Sequence, residues 1–188
     1  FRHLRDTITG WPGGKPDTAG QRRPERAHPF PKRTLVLSPH SDDDVISMGG
    51  TFIRLVDQGH EVSVGYMTNG SMAVHDEDVL NRLSFMKQFM KTFDLEGKKV
   101  EEFSDNAKSF FRSKEASTID LPEILEIKSL IRKREAQSAY RFRGVDDDNA
   151  YFLDLPFYKT GKAQKNPVSA EDINRVKELL EDIKPHQV

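Results

Sequence analysis

The chain has 188 residues, of which 36% are hydrophobic and 31% are charged, and its formal net charge is −1. This length and composition suit one α/β domain, and the balanced charge favours neither nucleic acid nor a membrane surface as a partner. Cysteine is absent, which excludes disulfides and thiolate metal sites, so any metal must be held by histidine and carboxylate. We recognise no transmembrane run and no signal peptide, and we expect a cytoplasmic protein.

Residues 1–33 differ from the rest of the chain. They hold half of the prolines and more basic than acidic residues, as in "GWPGGKPDTAGQRRPERAHPFPKR". This stretch cannot run as a helix or a central strand, because proline lacks the backbone N–H and glycine adds an entropic cost. We predict a linker or arm over 1–33 and a domain over 34–188. Since the chain opens on Phe1 and closes on "DIKPHQV", we expect it to be part of a longer protein.

The first elements of the domain follow one another closely. "TLVLS" at 34–38 is typical of a buried parallel strand, because it is short, aliphatic and β-branched. Apolar residues at helical spacing predict a helix over 47–59, with Gly59 as its stop. "HEVSVGYMT" predicts a strand over 60–68, and "NG" at 69–70 a turn.

The middle of the chain is richer in helical patterns. Residues 78–93 predict an amphipathic helix, and we expect its phenylalanines and methionines between 85 and 93 to lie in the core. Residues 94–120 are polar and predict an irregular excursion over one face. A long helix is predicted over 121–144, with Pro122 suited to its first turn.

The last part of the chain repeats the alternation of strand and helix. "AYFLDLP" predicts a third strand over 150–156, and 169–185 predicts a helix that opens on a capping-box-like pair, Ser169 and Asp172. "HQV" would begin a fourth strand. This order predicts an α/β fold, a three-layer Rossmann-like parallel sheet with helices on both faces, incomplete at its C-terminus.

The segment "LSPHSDDDVISMGG" at 37–50 contains the residues best suited to bind a metal or to catalyse a reaction. It follows the first strand, and in parallel α/β sheets ligands bind beyond the carboxyl ends of the strands. His40 and Asp43 can supply two zinc ligands, with Asp42 or Asp44 as the base. The alternative is an aspartate-rich helix N-terminus without a ligand, since negative charge favours that end of the helix dipole. Phosphate binding is less favoured, because three aspartates would repel it.

Two further polar features lie at opposite ends of the predicted strands. Asn69 follows the second strand at its carboxyl end and is a candidate substrate contact, although an Asn-Gly turn needs no function. "VDDDN" at 145–149 precedes the third strand, at the opposite edge of the sheet. We predict a solvated turn there, because the spacing of a calcium-binding EF-hand loop is absent.

The segment after the first strand also carries a family resemblance. "SPHSDDDVISMGGT" resembles the signature of the PIG-L/LmbE-type deacetylases, zinc-dependent hydrolases that remove acetyl groups from N-acetylglucosamine-type sugars. "FIRLVDQGHEVSVGYMTNG" and "IRKREAQSAYRFRGVDDDNAYFLDLP" extend the resemblance over most of 34–158. It implies an amino-sugar substrate, zinc or another divalent metal, and these roles: His40 and Asp43 as metal ligands, Asp42 as general base, Arg132 as substrate contact and Glu135 as a structural carboxylate.

The chain departs from the family pattern at three points. Ser41 replaces a proline of the signature, and Asp44 replaces a glutamate. The family's third zinc ligand comes from an H-x-x-H-type motif after the fourth strand, which this chain does not reach. We do not take His186 as that ligand, because it precedes the strand. The resemblance therefore implies that the 188-residue chain is inactive, even if its parent protein is a carbohydrate N-deacetylase.

A second hypothesis belongs to a different class of function. The arm, the domain and "LPFYKTGKAQKNP" together are similar to the C-terminal part of longer fusion proteins. Those proteins join an N-terminal glucosamine-6-phosphate deaminase-like domain to a PIG-L-like domain. In that setting the chain would be a non-catalytic accessory or interaction module, a reading that Ser41 and Asp44 favour.

Overall fold

A computed structural model describes residues 31–115, 117–159 and 164–188 of the chain. The predicted arm over 1–33 therefore lies almost entirely outside the described residues. One sheet of three parallel strands is present, in the order β1-β2-β3. The strands are β1 (Arg33–Ser38), β2 (Glu61–Tyr66) and β3 (Ala150–Phe152).

The described residues also form six α-helices. They are α1 (Asp43–Ile46), α2 (Gly49–Asp57), α3 (Asp76–Thr92), α4 (Lys98–Ser113), α5 (Pro122–Phe142) and α6 (Ala170–Ile183). Pro122 occupies the first turn of α5, as predicted. Ser169 and Asp172 form a complete capping box at the start of α6, because each side chain accepts the other residue's backbone N–H.

The sheet lies between two layers of helices. Neighbouring residues of a strand point to opposite faces, so Val36 joins the cluster formed with α2 and α5, whereas Leu35 packs with α6. A Cβ added to Gly65 in β2 would lie 3.0 Å from Leu179 Cδ2 of α6, so the glycine lets that helix approach closely. The predicted α/β fold with a parallel sheet is confirmed.

On the side that faces away from β2, strand β1 pairs with the last residues of the chain. Gln187 forms a parallel bridge with Thr34, and the Leu35 N–H donates to Gln187 O at 2.9 Å. This bridge lies where the sequence predicts that a fourth strand begins.

The prediction of an irregular stretch over 94–120 is wrong. Its larger part is helix α4, whose Phe103, Ala107 and Phe110 recur every three or four residues. They pack with Val79 and Leu83 of α3 against the side of α5. The apolar stripe was hidden because charged and polar residues separate its members, so the mean polarity of the segment gave no sign of a helix.

The prediction that residues 85–93 lie in the core is also wrong. Helix α3 buries Val79 and Leu83, while Phe85, Phe89 and Phe93 are 64%, 46% and 60% exposed. A helix has 3.6 residues per turn, so Phe85 points roughly 200° away from Leu83. The phenylalanines form a separate stripe in which each ring contacts the next. Periodicity identified apolar residues at helical spacing but not the face that the fold covers.

Two element boundaries differ from the prediction. The predicted helix over 47–59 corresponds to α2 alone, and a separate short helix, α1, precedes it across a break at residues 47–48. Strand β3 ends at Phe152 rather than at 156, because Asp154 adopts a positive φ of 44°. The Leu153 N–H still donates to Tyr66 O at the end of β2, and the Leu155 N–H donates to Met67 O just after it, so pairing continues on either side of this kink.

Candidate active site

The loops at the carboxyl ends of the strands surround a cavity of about 560 Å³. It is lined by His40 after β1, by residues 68–73 after β2, and by Tyr158, Lys159 and Lys165 after β3. The beginning of α5 forms a further wall. The cavity therefore occupies the position at which ligands bind in parallel α/β sheets.

His40, which lines this cavity, meets Asp43 beside it. His40 Nδ1 lies 3.0 Å from Asp43 Oδ2, and the His40 backbone N–H donates to the same oxygen. Their side chains are 55% and 35% exposed. Two ligand atoms, each about 2.0–2.1 Å from a zinc ion at a tetrahedral angle, lie roughly 3.3 Å apart. The pair would therefore need little rearrangement to hold a metal.

Asp42 points toward α5 instead. Its Oδ2 accepts a hydrogen bond from Arg132 Nη2 at 2.9 Å, and Arg132 Nη1 donates to Glu135 Oε2 at 2.6 Å. Residues three apart on a helix share a face, so Arg132 and Glu135 approach the β1 loop together. The structure thus brings the predicted base, the predicted substrate contact and the predicted structural carboxylate into one chain of ion pairs.

Asp44 lies in the core rather than at the cavity. Its carboxylate accepts a hydrogen bond from Arg143 Nη2 at 2.5 Å and one from the Tyr66 hydroxyl at 3.1 Å. Burial and the neighbouring carboxylate raise the pKa of Tyr66 well above its usual range, so Tyr66 stays a neutral donor. Of the two aspartates proposed as the base, Asp42 reaches solvent with 45% of its side chain exposed, whereas Asp44 is 1% exposed.

Asn69 lines the cavity but is already engaged at both ends of its amide. Its Nδ2 donates to Asp154 Oδ1 at 3.1 Å, and its Oδ1 accepts the Ser71 N–H at 3.0 Å. Asn69 therefore ties the loop after β2 to the loop after β3. A contact between Asn69 and a substrate stays a prediction.

Gly70 sets how closely the loop after β2 approaches the aspartate run. Its φ is +71°, and a Cβ there would lie 2.8 Å from Ser41 Oγ and 3.2 Å from Arg132 Cβ. Only glycine fits this contact without strain. Ser41 is 6% exposed, and its hydroxyl has no hydrogen-bond partner among the described residues. The serine that departs from the family signature therefore fills space without adding a hydrogen bond.

The residues fit zinc in chemistry but supply only part of a site. One imidazole nitrogen and one carboxylate oxygen are typical zinc donors, whereas catalytic sites commonly have three protein ligands. Within the described ranges, no group of three or more histidine, cysteine, aspartate or glutamate residues could hold a metal. His186 accepts the Arg33 N–H at the start of β1, at the edge of the sheet opposite to the cavity. The expectation that His186 is not a ligand is consistent with this place.

Sequence reasoning missed a group of residues after β3. Asp154 lies in the kink of the chain after β3. The ring of Tyr158 packs edge-to-face on the His40 imidazole, with the ring centres 6.0 Å apart. Lys159 and Lys165 line the cavity. The rule that singled out His40 and Asn69, a polar residue just past the carboxyl end of a strand, would also have found Asp154. The predicted third strand over 150–156 instead placed Asp154 inside a strand, whereas β3 ends at Phe152.

A model of the family described as GlcNAc-PI de-N-acetylase, PIG-L, matches residues 35–188, which is most of the chain. The chain belongs to the PIG-L family. The family resemblance of "SPHSDDDVISMGGT" is confirmed as family membership, while the roles of single residues stay predictions.

Two relatives of the PIG-L domain differ in how much they cover. A glucosamine-6-phosphate deaminase-like protein of Bacteroides thetaiotaomicron is 49% identical over 189 residues, which is 100% of this chain and 28% of that protein. The chain therefore spans less than a third of that relative. A diacetylchitobiose deacetylase of Thermococcus kodakarensis is 42% identical over 48 residues, 26% of this chain and 18% of that protein.

No solved structure matches this PIG-L chain. Among the described residues, none of the helices combines the length and the apolarity that crossing a bilayer requires.

Proposed function

We propose that this PIG-L domain is part of a zinc-dependent N-deacetylase that hydrolyses the acetamide of an N-acetyl amino sugar or its conjugate. The observation that carries the proposal is the approach of His40 Nδ1 and Asp43 Oδ2 to 3.0 Å beside the cavity. Family membership and the name of the diacetylchitobiose deacetylase relative support the reaction and the substrate class.

His40 and Asp43 would hold the metal, with a further ligand from outside the described residues. Zinc bound at such a site supplies a Lewis acid for the acetyl carbonyl. The remaining chemistry falls to side chains of the domain. Another divalent metal would use the same ligand pair.

Asp42 is the general base of the proposal, because its side chain reaches solvent and it lies between the two ligands in sequence. It would accept a proton from the attacking water. Arg132 keeps this carboxylate in place from α5 and shares its guanidinium with Glu135. A guanidinium carries five N–H donors, so these two contacts leave donors for a hydroxyl or an anionic group of the substrate.

The cavity suits a small-molecule substrate. Its volume falls within the roughly 300–1,000 Å³ typical of such sites. Leu125 and Ile119 give it an apolar wall, while His40 and Asn69 give it polar groups. This combination is what a sugar needs, because its ring has apolar faces and a polar rim.

The test is zinc content and acetate release in the protein at its full natural length. N-acetylglucosamine and diacetylchitobiose are the substrates, and His40→Ala is expected to lose both bound zinc and activity. His75→Ala is the matched control, because His75 is exposed at the start of α3 and does not line the cavity. Unchanged zinc content in His40→Ala would remove His40 as a ligand.

A second candidate function is a non-catalytic accessory or interaction module of a glucosamine-6-phosphate deaminase-like protein. The ion pair between Asp42 and Arg132 favours it, because the candidate base is occupied. The length of the Bacteroides relative, beyond the part that matches, also supports it. The module would bind a sugar without releasing acetate even when zinc is supplied in excess, whereas the enzyme would release it.

A further inference from the structure

The loop after β3 brings positive charge to the cavity. Lys159 and Lys165 both line it together with His40. Lys165 Nζ lies 4.6 Å from the centre of the Tyr158 ring, and the same ring lies 6.0 Å from the His40 imidazole. One tyrosine therefore separates the candidate metal ligand from a lysine ammonium.

The two lysines differ in how their charge is compensated. Lys159 Nζ pairs with Asp154 Oδ2 at 2.5 Å, and Asp154 is held in turn by Asn69. Lys165 rests on the face of Tyr158, a contact that attracts a cation without neutralising it. Within the described part of the chain, no carboxylate forms an ion pair with Lys165. Lys165 is thus the stronger source of uncompensated charge.

The charge of the cavity is also divided between its walls. Among the residues that the structure describes, Glu126 is the acidic residue that lines it, and it belongs to α5. The lysines belong to the loop after β3. A charged group on a ligand therefore has a preferred direction in the cavity, with an anion attracted to the β3 side and repelled from the α5 side.

We propose that Lys165, assisted by Lys159, binds an anionic group of the substrate, a phosphate or a carboxylate carried by the amino sugar. This inference rests on the proposed function, since it places the acetamide at His40 and Asp43 and the anionic group one tyrosine ring away. The substrate class becomes an N-acetyl amino sugar with an acidic substituent. Lys159 contributes less, because Asp154 compensates part of its charge.

The first test compares substrates. The kcat/KM of the full-length protein is measured with N-acetylglucosamine 6-phosphate, N-acetylmuramic acid and neutral N-acetylglucosamine. We expect at least one acidic sugar to be preferred, and the two acidic sugars distinguish a phosphate from a carboxylate. Lys165→Met keeps the length of the side chain and should reduce kcat/KM about tenfold for the preferred acidic sugar, the scale of one charge–charge contact, and less than twofold for the neutral sugar.

A variant of the second lysine and one control variant are compared with this result. Lys159→Met should give a smaller loss in the same direction. Lys177→Met should give none, because Lys177 lies on α6, pairs with Glu181 and does not line the cavity. Equal use of neutral and acidic sugars by the natural protein would overturn the proposal, and so would an equal loss for both in Lys165→Met.

A binding experiment separates this inference from the proposed function. Glucosamine 6-phosphate and glucosamine are titrated by calorimetry into the full-length protein and into His40→Ala, at low and high salt. Salt-sensitive binding of the phosphorylated sugar that Lys165→Met weakens supports the anion site even if no acetamide is cleaved. Absence of preferential binding of the phosphorylated sugar overturns the anion site whether or not the protein is a deacetylase, and so does preferential binding that is unchanged in Lys165→Met.

Discussion

Two runs of three consecutive aspartates lie in this domain, and the fold uses them differently. Asp42–Asp44 follow β1 at the carboxyl end of the strand, whereas Asp146–Asp148 precede β3 at its amino end. The members of the first run point to three different partners, Arg132, His40 and Arg143. The second run stays exposed, and its Asp147 forms an ion pair with Arg141 at the surface.

The comparison shows that position relative to the sheet decides what a cluster of carboxylates does. At the carboxyl edge, α1 begins at Asp43 and turns successive side chains in different directions, so one enters the core and two remain accessible. At the amino edge, a short turn leaves all three in solvent, as the sequence predicted. The same three residues can therefore build a candidate site or a solvated turn.

The largest expected difference between the runs is in activity. Asp42→Asn and Asp43→Asn should each reduce acetate release by the full-length protein about 10²- to 10⁴-fold, the range of a lost base or a disturbed metal site. Asp146→Asn and Asp148→Asn are the matched controls and should stay within about twofold, because both lie in the turn before β3, at the end of the sheet opposite to His40 and Asp43. Zinc content should fall in Asp43→Asn but not in Asp42→Asn. Full activity in Asp42→Asn would contradict the assignment of the base.

The next difference is in stability. Asp44→Asn keeps the volume of the side chain but leaves the buried Arg143 guanidinium without its carboxylate, since both side chains are almost fully enclosed. Breaking a buried pair in this way costs about 3–5 kcal/mol of unfolding free energy. Asp147→Asn removes an exposed pair and should change stability far less. Urea denaturation measures both, and equal losses would mean that burial does not distinguish the runs.

A smaller effect concerns the glycines that support each run. Gly70 and Gly144 both have positive φ, +71° and +81°. Alanine at either position should cost about 1–2 kcal/mol, the penalty of the left-handed conformation. Only Gly70→Ala should also reduce activity, because its new Cβ meets Ser41 and Arg132, whereas the Cβ at Gly144 meets Val56. An activity loss of similar size in Gly144→Ala would mean that Gly70 has no special link to the site.

The smallest expected effect is on the acid titration of the second run. Hydrogen bonds from Arg141 and Tyr140 lower the pKa of Asp147 to about 2, from an ordinary value of 3.8. Because the pKa is lower in the folded state, this contact stabilises the fold above pH 3.8, and its contribution disappears as the pH falls toward 2. In a carboxylate NMR titration, Arg141→Gln should move the pKa of Asp147 back toward 3.8. An unchanged titration would show that the surface pair does not form in solution.

The sequence could predict the fold class and the place of the candidate site. A short aliphatic run before "PHSDDD" identifies a buried strand and the loop at its carboxyl end, without any knowledge of the rest of the fold. His40 and Asp43 are three residues apart, so local spacing was enough to suggest that they meet. Both features are local, and local patterns are what a sequence shows directly.

The features that the sequence could not predict depend on distant partners. Asp44 is separated by 99 residues from Arg143, so nothing near it in the chain shows that it is buried. Helix α4 was missed because its apolar stripe is narrow, and the face of α3 was misjudged because two apolar stripes compete. Asp154 was hidden within a predicted strand that its own positive φ interrupts.

The most direct test of the central claim is the location of zinc in crystals of the full-length protein. An anomalous difference map recorded at the zinc edge should show a peak about 2.0–2.2 Å from a ring nitrogen of His40 and a carboxylate oxygen of Asp43. That result would confirm that the first aspartate run is part of a metal site. A catalytically active crystal form with zinc bound elsewhere, and none at His40 and Asp43, would contradict the account.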